Sequence, residues 1–137
     1  MEEHLSSETR IRVRYNECDS SGFAFNGNFF VWMQDGAGDL FEAGGVDIVE
    51  LAMSGHTFMA IHMECDFKHP TRYRDEIVVR AFVSELGTSS LHIQYDITKD
   101  DKLLAVGRTV HVYVDIEQKK KIPMPDDLRE KLLLVKP

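Results

Sequence analysis

Apolar and polar residues alternate from Arg10 to Tyr15. Ile11, Val13 and Tyr15 fall on one side and Arg10, Arg12 and Arg14 on the other, the period-two pattern of a half-buried strand. Residues 1–8, before it, read as a flexible polar tail. Asn16 to Gly22 is rich in turn formers. The period then changes: Phe29, Met33, Ala37, Leu40 and Phe41 recur at three- and four-residue spacing, which predicts a helix from Phe29 to Ala43. Asn26 or Asn28 would cap it, and Gly44-Gly45 would end it. Gly36 and Gly38 inside that helix each cost about 1 kcal/mol relative to Ala. The cost is tolerable where the helix backbone must lie close against a sheet. A shorter helix, about Val46 to Ser54, stops at Gly55.

From Thr57 onward the pattern is strand-like. Met59, Ile61, Met63, Cys65 and Phe67 alternate with polar residues and predict one apolar face, until His69-Pro70-Thr71 breaks the run. Ile77–Glu85, Leu91–Thr98 and Leu103–Val114 follow, joined by the short turns Leu86-Gly87-Thr88 and Lys99-Asp100-Asp101. Short turns make these three an antiparallel meander. Pro123 and Pro125 precede a terminal helix, about Asp126 to Leu134, with two acids near its positive end. Five strands with one apolar face need a partner, and one helix is long and apolar enough. The prediction is an α+β fold: a five-stranded antiparallel sheet curled around a long central helix.

Length and charge narrow the classes. At 137 residues with 43% hydrophobic content, the chain fits one domain, 1–137, with a real core. A net charge of −7 argues against general nucleic-acid binding. The longest apolar runs, such as Phe29 to Met33, fall far below the roughly 18 residues of a membrane span. The first ten residues have no apolar stretch of the kind a signal peptide carries, and two cysteines make no disulfide framework, so a cytoplasmic protein is expected. The charge is unevenly spread: no Lys or Arg lies between Tyr15 and Phe67, while 13 bases follow Phe67. That split suggests a pocket-forming first half and bases elsewhere to meet an anion.

Phosphate-binding glycine loops, dinucleotide fingerprints and nucleophile elbows are absent, and the scattered His and Cys residues lack metal-site spacing. The informative segment is Tyr15 to Trp32. Asp19 sits in a turn just ahead of a helix start built from Gly22, Phe23, Phe25, Asn26, Gly27 and Asn28. Unpaired amides at a helix N-terminus can stabilise an oxyanion. A nearby carboxylate can attack an acyl carbon or activate water. Phe23, Phe25 and Phe29 can wall an acyl pocket. The competing reading is an Asx-turn closed by Asp19 with the aromatics in the core.

These residues resemble the hotdog-fold acyl-CoA thioesterases of the 4-hydroxybenzoyl-CoA thioesterase type. The resemblance runs through Asp19-Ser20-Ser21-Gly22, Phe23-Ala24-Phe25 and Asn28-Phe29, then the segment Asp66 to Glu76, Glu85 to Leu91, and Gly107 to His111. It implies that the central helix is wrapped by the sheet and that Asp19 is the catalytic nucleophile or general base. It also implies that amides around Gly27 and Asn28 bind the thioester carbonyl. Phe23, Phe25, Asn26, Phe29, Met59 and Met63 would line the acyl site. Lys68, Arg72 and Arg74, with Ser89 and Ser90, would meet the coenzyme A phosphates. Coenzyme A enters only as part of the substrate, with no metal or other cofactor. Sites in this family form between subunits, so a homodimer is the minimum and a homotetramer is common. Two departures stand out: Phe25-Asn26 replaces the Tyr-His of one branch, and Phe29 replaces a usual Tyr.

The leading expectation is therefore hydrolysis of an apolar or aromatic acyl-CoA to free acid and CoA. An acyl-carrier-protein thioesterase is a close variant. A non-catalytic acyl-CoA binding or sensing domain is the alternative, with Asn26 its best support. A hotdog dehydratase ranks last, because no His lies near Asp19 in sequence.

Overall fold

The computed structural model describes residues 5–133. The chain runs β1 (Ser6–Arg12), a 3-10 turn (Tyr15–Glu17), α1 (Gly27–Ala43), α2 (Ile48–Met53), β2 (His56–Phe67), β3 (Glu76–Leu86), β4 (Ser90–Lys99), β5 (Lys102–Asp115), the two-residue β6 (Lys120–Lys121) and α3 (Asp126–Leu133). The sheet order is β1-β3-β4-β5-β2, with β6 added beside β5, and every pairing is antiparallel. The predicted meander is therefore present as β3-β4-β5. β1 and β2 form the two outer edges of the main order.

The sheet curls around α1. That helix buries Phe29, Trp32, Met33, Gly36, Ala37, Leu40 and Phe41. They join Val79, Ala81, Ile93, Tyr95 and Ala105 of the inner strands in one core. A Cβ on Gly36 would lie 2.9 Å from Val79 Cγ1, so the missing side chain lets helix and sheet approach. Gly38 has nothing within 4 Å, and its place in the helix has no packing reason. Gly107 on β5 makes room for the Met33 thioether, whose sulfur sits 2.6 Å from where a Cβ would stand. Deep in this core the Tyr95 and Thr109 hydroxyls hydrogen-bond at 2.8 Å, and Thr109 Oγ1 also lies 3.5 Å from His111 Nδ1.

Four sequence expectations change. Leu5 is buried and β1 begins at Ser6, so the expected flexible tail is strand from that point; residues 1–4 lie outside the described residues. β1 ends at Arg12, and the 3-10 turn swings Tyr15 away from Ile11 and Val13 to an exposed position. β2 buries the expected face only in part: Cys65 packs against the core and Met63 is half-buried, while Phe58, from the opposite face, also packs inward. β2 is an edge strand with a register shift between Ala60 and His62, and Met59, Ile61 and Phe67 are 54%, 60% and 43% exposed. Helix α1 starts at Gly27; Asn26 precedes it without a capping side-chain bond, and Gly45, at φ 77°, closes it.

Candidate active site

A small hairpin carries Asp19. Cys18 and Ala24 form an antiparallel bridge, the Asp19 amide donates to Phe23 O at 2.9 Å, and the Gly22 amide closes the turn onto Asp19 O at 3.0 Å. Gly22 takes φ 83°, which the turn requires. The Asp19 carboxylate is exposed and accepts from the Ser21 hydroxyl and, at 2.9 Å, from the Ser21 amide. The Ser21 hydroxyl above all, then the Ser21 and Phe23 amides, hold its carboxyl below the usual range. Asp19 thus closes an Asx-turn and is also a fixed, ionised carboxylate; the two readings coexist.

The hairpin is docked onto α1 by Glu17, which the sequence reading passed over. Its carboxylate accepts from the Arg14 amide at 2.7 Å and from the Trp32 indole N–H at 2.7 Å. Its carbonyl accepts from the Phe25 amide at 2.8 Å and from Asn28 Nδ2 at 2.6 Å. Trp32 is fully buried, so Glu17 satisfies a donor that has no access to water. The signal was available: one acid two residues before Asp19, and the single Trp of the chain.

At the helix start the two expected oxyanion donors differ. The Asn28 amide donates to Phe25 O at 3.0 Å, and its side chain is tied to Glu17 O and Phe25 O. The Gly27 amide has no intramolecular acceptor among the described residues, so it is a free donor at this end. The Phe25 ring, 65% exposed, lies over Gly27; a Cβ there would meet it at 2.7 Å. Asn26 is exposed beside it.

The remaining expected residues split by position. Arg72 lies over the Phe23 ring at 4.8 Å, and Phe23 bridges to Arg72 through the backbone. The Arg72–Asp75 segment is fixed by Asp75, which accepts from Thr71 Oγ1, the Arg72 amide and Lys99 Nζ at 2.9, 2.8 and 2.8 Å. Burial alone would raise the Asp75 carboxyl, yet Lys99, the Arg72 amide and Thr71 hold it below the usual range. The Tyr73 amide donates to Gly22 O at 3.1 Å, joining this segment to the Asp19 turn. Lys68 is at the same end, its amide on Leu104 O. Phe29 is 2% exposed and packs at 4.9 Å on Trp32 and 5.2 Å on Phe67; it is a core residue rather than an open pocket wall.

Ser89, Ser90 and Met59 lie elsewhere. Phe67 pairs with Ala105, whereas both Ser90 and Met59 pair with Val112. Seven residues of extended β5 separate these points, roughly 24 Å at about 3.4 Å per residue. Met63 falls between, opposite Thr109. One copy of the chain therefore does not bring Met59, Ser89 or Ser90 to Asp19. Among the described residues no cluster of three His, Cys, Asp or Glu side chains is placed to hold a metal ion, and no helix is long and apolar enough to cross a membrane.

A family profile described as "thioesterase-like superfamily" matches residues 13–132. A 1,4-dihydroxy-2-naphthoyl-CoA hydrolase of Prochlorococcus marinus (strain MIT 9515) is 23% identical over 123 residues, spanning 85% of this chain and 82% of that one. A hypothetical protein from Thermus thermophilus superposes with a TM-score of 0.86 at 27% identity, over 92% of this chain and 96% of the other. A 1,4-dihydroxy-2-naphthoyl-CoA thioesterase from Synechocystis superposes with a TM-score of 0.85 at 18% identity, over 93% and 95%. The architecture expected from the resemblance, a sheet wrapped around one long helix, is the one these structures share.

Proposed function

Because the chain belongs to the thioesterase-like superfamily, we propose that it hydrolyses an acyl-CoA whose acyl group is apolar or aromatic, releasing the free acid and coenzyme A. Asp19 acts on the thioester carbon directly or on the attacking water, and the Gly27 amide polarises the carbonyl oxygen. The observation that carries this reading is the pairing, on one docked hairpin, of an ionised exposed carboxylate with a helix start that keeps a free amide. A carboxylate held below its usual range is fully ionised at neutral pH, as a nucleophile or base must be. The aromatic acyl preference draws on the naphthoyl-CoA relatives and on the exposed Phe25 ring beside Gly27.

The working unit is a homodimer built on the free edge of β2. That edge carries Met59, Ile61 and Phe67 exposed, an apolar strip that water disfavours and a second copy covers. Antiparallel pairing across a two-fold axis reverses the strand. The Met59 end of one copy then lies beside the Phe67 end of the other. Ser89 and Ser90 of the partner subunit approach the Asp19 turn, so residues that one chain keeps toward opposite ends of β5 meet at a shared site.

The test is release of free thiol from short-chain, long-chain and aromatic acyl-CoAs, with wild type and Asp19→Asn side by side. Turnover of one class that falls at least 100-fold in Asp19→Asn is the expected result. Undiminished turnover in the variant would remove Asp19 from the chemistry. Saturable binding with no turnover by wild type would leave a binding or sensing domain instead.

A further inference from the structure

A second cleft lies away from the Asp19 carboxylate. It has a volume of about 750 Å³ and lies along the free edge of β1, against α1 and the Tyr73-Arg74 segment. Arg10, Arg12, Arg14 and Arg74 line it, with Tyr15 and Tyr73. Among the described residues none of these four arginines makes an ion pair, whereas Arg80, Lys99 and Arg108 each do. Two acids also line the cleft: Glu17, whose carboxylate is committed to the Arg14 amide and the Trp32 indole, and Asp35 on α1. Guanidinium groups therefore outnumber carboxylates at this place in a chain of net charge −7.

The edge is open by construction. Leu5 and Val13 exchange backbone bonds with β3 and the residue before it, so the alternate residues Arg10 and Arg12 turn their own backbone groups outward. Their side chains repeat about 7 Å apart along the strand, far enough to serve separate phosphates. An aromatic platform adjoins them: Tyr15 is 79% exposed and meets Tyr73 edge-on at 5.8 Å, and the Arg74 guanidinium lies 4.9 Å over the Tyr73 ring. Arg74 holds φ at 74°, in the left-handed region that favours glycine, and it does so as an arginine.

We propose that this cleft binds the phosphorylated end of a nucleotide, with the phosphates on Arg12, Arg14 and Arg74 and the base against Tyr15. Arginine's planar fork matches phosphate oxygens, and an exposed aromatic ring takes any base by stacking. A long polyanion is opposed by the net charge of the chain, so the ligand is a small nucleotide. Two sources carry this chemistry: the nucleotide end of an acyl-CoA, or a free nucleotide. The inference rests on the thioesterase reading only for the choice between them. The 71–75 segment touches both the cleft and the Asp19 turn, which favours the substrate's own nucleotide.

Calorimetric titration with ADP and with coenzyme A separates the outcomes. Wild type is expected to bind both, more weakly as salt rises. Arg14→Ala and Arg74→Gly should each weaken both at least tenfold. Arg12→Ala, on an exposed strand position, guards against a folding artefact. In parallel, KM is measured for an acyl-CoA and for the matching acyl-pantetheine thioester, which lacks the nucleotide. A tenfold rise in KM for the acyl-CoA alone places the substrate's nucleotide in the cleft. Loss of ADP binding with both KM values unchanged places a free nucleotide there. Binding of ADP and coenzyme A changed less than twofold in all three variants overturns the proposal. Absence of turnover on any thioester would count against hydrolysis, not against the cleft, since the titrations read it directly.

Discussion

Ser21 sets how far below neutrality Asp19 stays charged. Its hydroxyl is the largest cause of the lowered Asp19 carboxyl, because the bond it donates is stronger to the ionised form than to the neutral acid. Activity that needs the carboxylate is retained above that lowered value and lost as pH falls through it. Ser21→Ala is expected to move the acid limb of the kcat/KM profile to higher pH with the neutral plateau little changed. An unmoved limb would mean that another group titrates there. His111 works in the opposite sense. It is buried beside Phe41, and burial pushes its imidazole down to about 4 from 6.5. The unfolded chain therefore binds a proton that the folded chain refuses between those values. Stability falls as pH drops from about 6.5 toward 4, by about 3 kcal/mol if this group acts alone. His111→Leu should flatten that part of the stability curve, measured by urea unfolding at pH 7 and pH 4.5.

Within α1 two glycines look alike in sequence and differ in place. Gly36 faces Val79 at 2.9 Å from an added Cβ, while Gly38 faces open space. Gly36→Ala is expected to destabilise by roughly 1–3 kcal/mol through overpacking. Gly38→Ala should stabilise by roughly 0.5–1 kcal/mol, the helix-propensity gain. Thermal unfolding of the two variants distinguishes them, and equal shifts would show that the helix does not sit this close to β3. The hairpin before α1 depends on Glu17 in the same way. Glu17→Ala leaves the buried Trp32 N–H without its acceptor, at a cost of about 1–3 kcal/mol. It should also shift the emission of the only tryptophan and lower kcat more than it raises KM, because the Asp19 turn loses its anchor. Glu17→Gln keeps an acceptor oxygen and should restore most of both.

The assembled molecule has two free sheet edges with different surfaces. β1 offers Arg10 and Arg12, and pairing it with its own copy would set like charges side by side. β2 offers Met59, Ile61 and Phe67. The second is the edge expected to pair. Ile61→Lys, at a position exposed in the single chain, should leave folding intact by circular dichroism. It should halve the mass seen in sedimentation and remove turnover together with the dimer. A dimeric Ile61→Lys protein would place the interface elsewhere.

Elements with a strong period were legible along the chain because they follow local geometry. α1 and the β3-β4-β5 meander appear within a few residues of their expected ends, since every third or fourth residue, or every second one, meets the same core. The Asp19 turn was legible for the same reason, as a cluster of turn formers ahead of an apolar helix. β2 has as regular an alternation as its neighbours, yet its position at the sheet edge leaves it exposed, and edge or centre depends on pairings far away in sequence. Glu17 shows the same limit at one side chain, because its role comes from Trp32, fifteen residues on, and from a hairpin that the period does not encode. The arginines of β1 read as the wet face of a strand. Their convergence with Arg74 and the two tyrosines exists only because β1 and the loop before β3 are hydrogen-bonded neighbours in the folded sheet. Period reports which way a side chain points within its own element, and the long-range pairings decide what it points at.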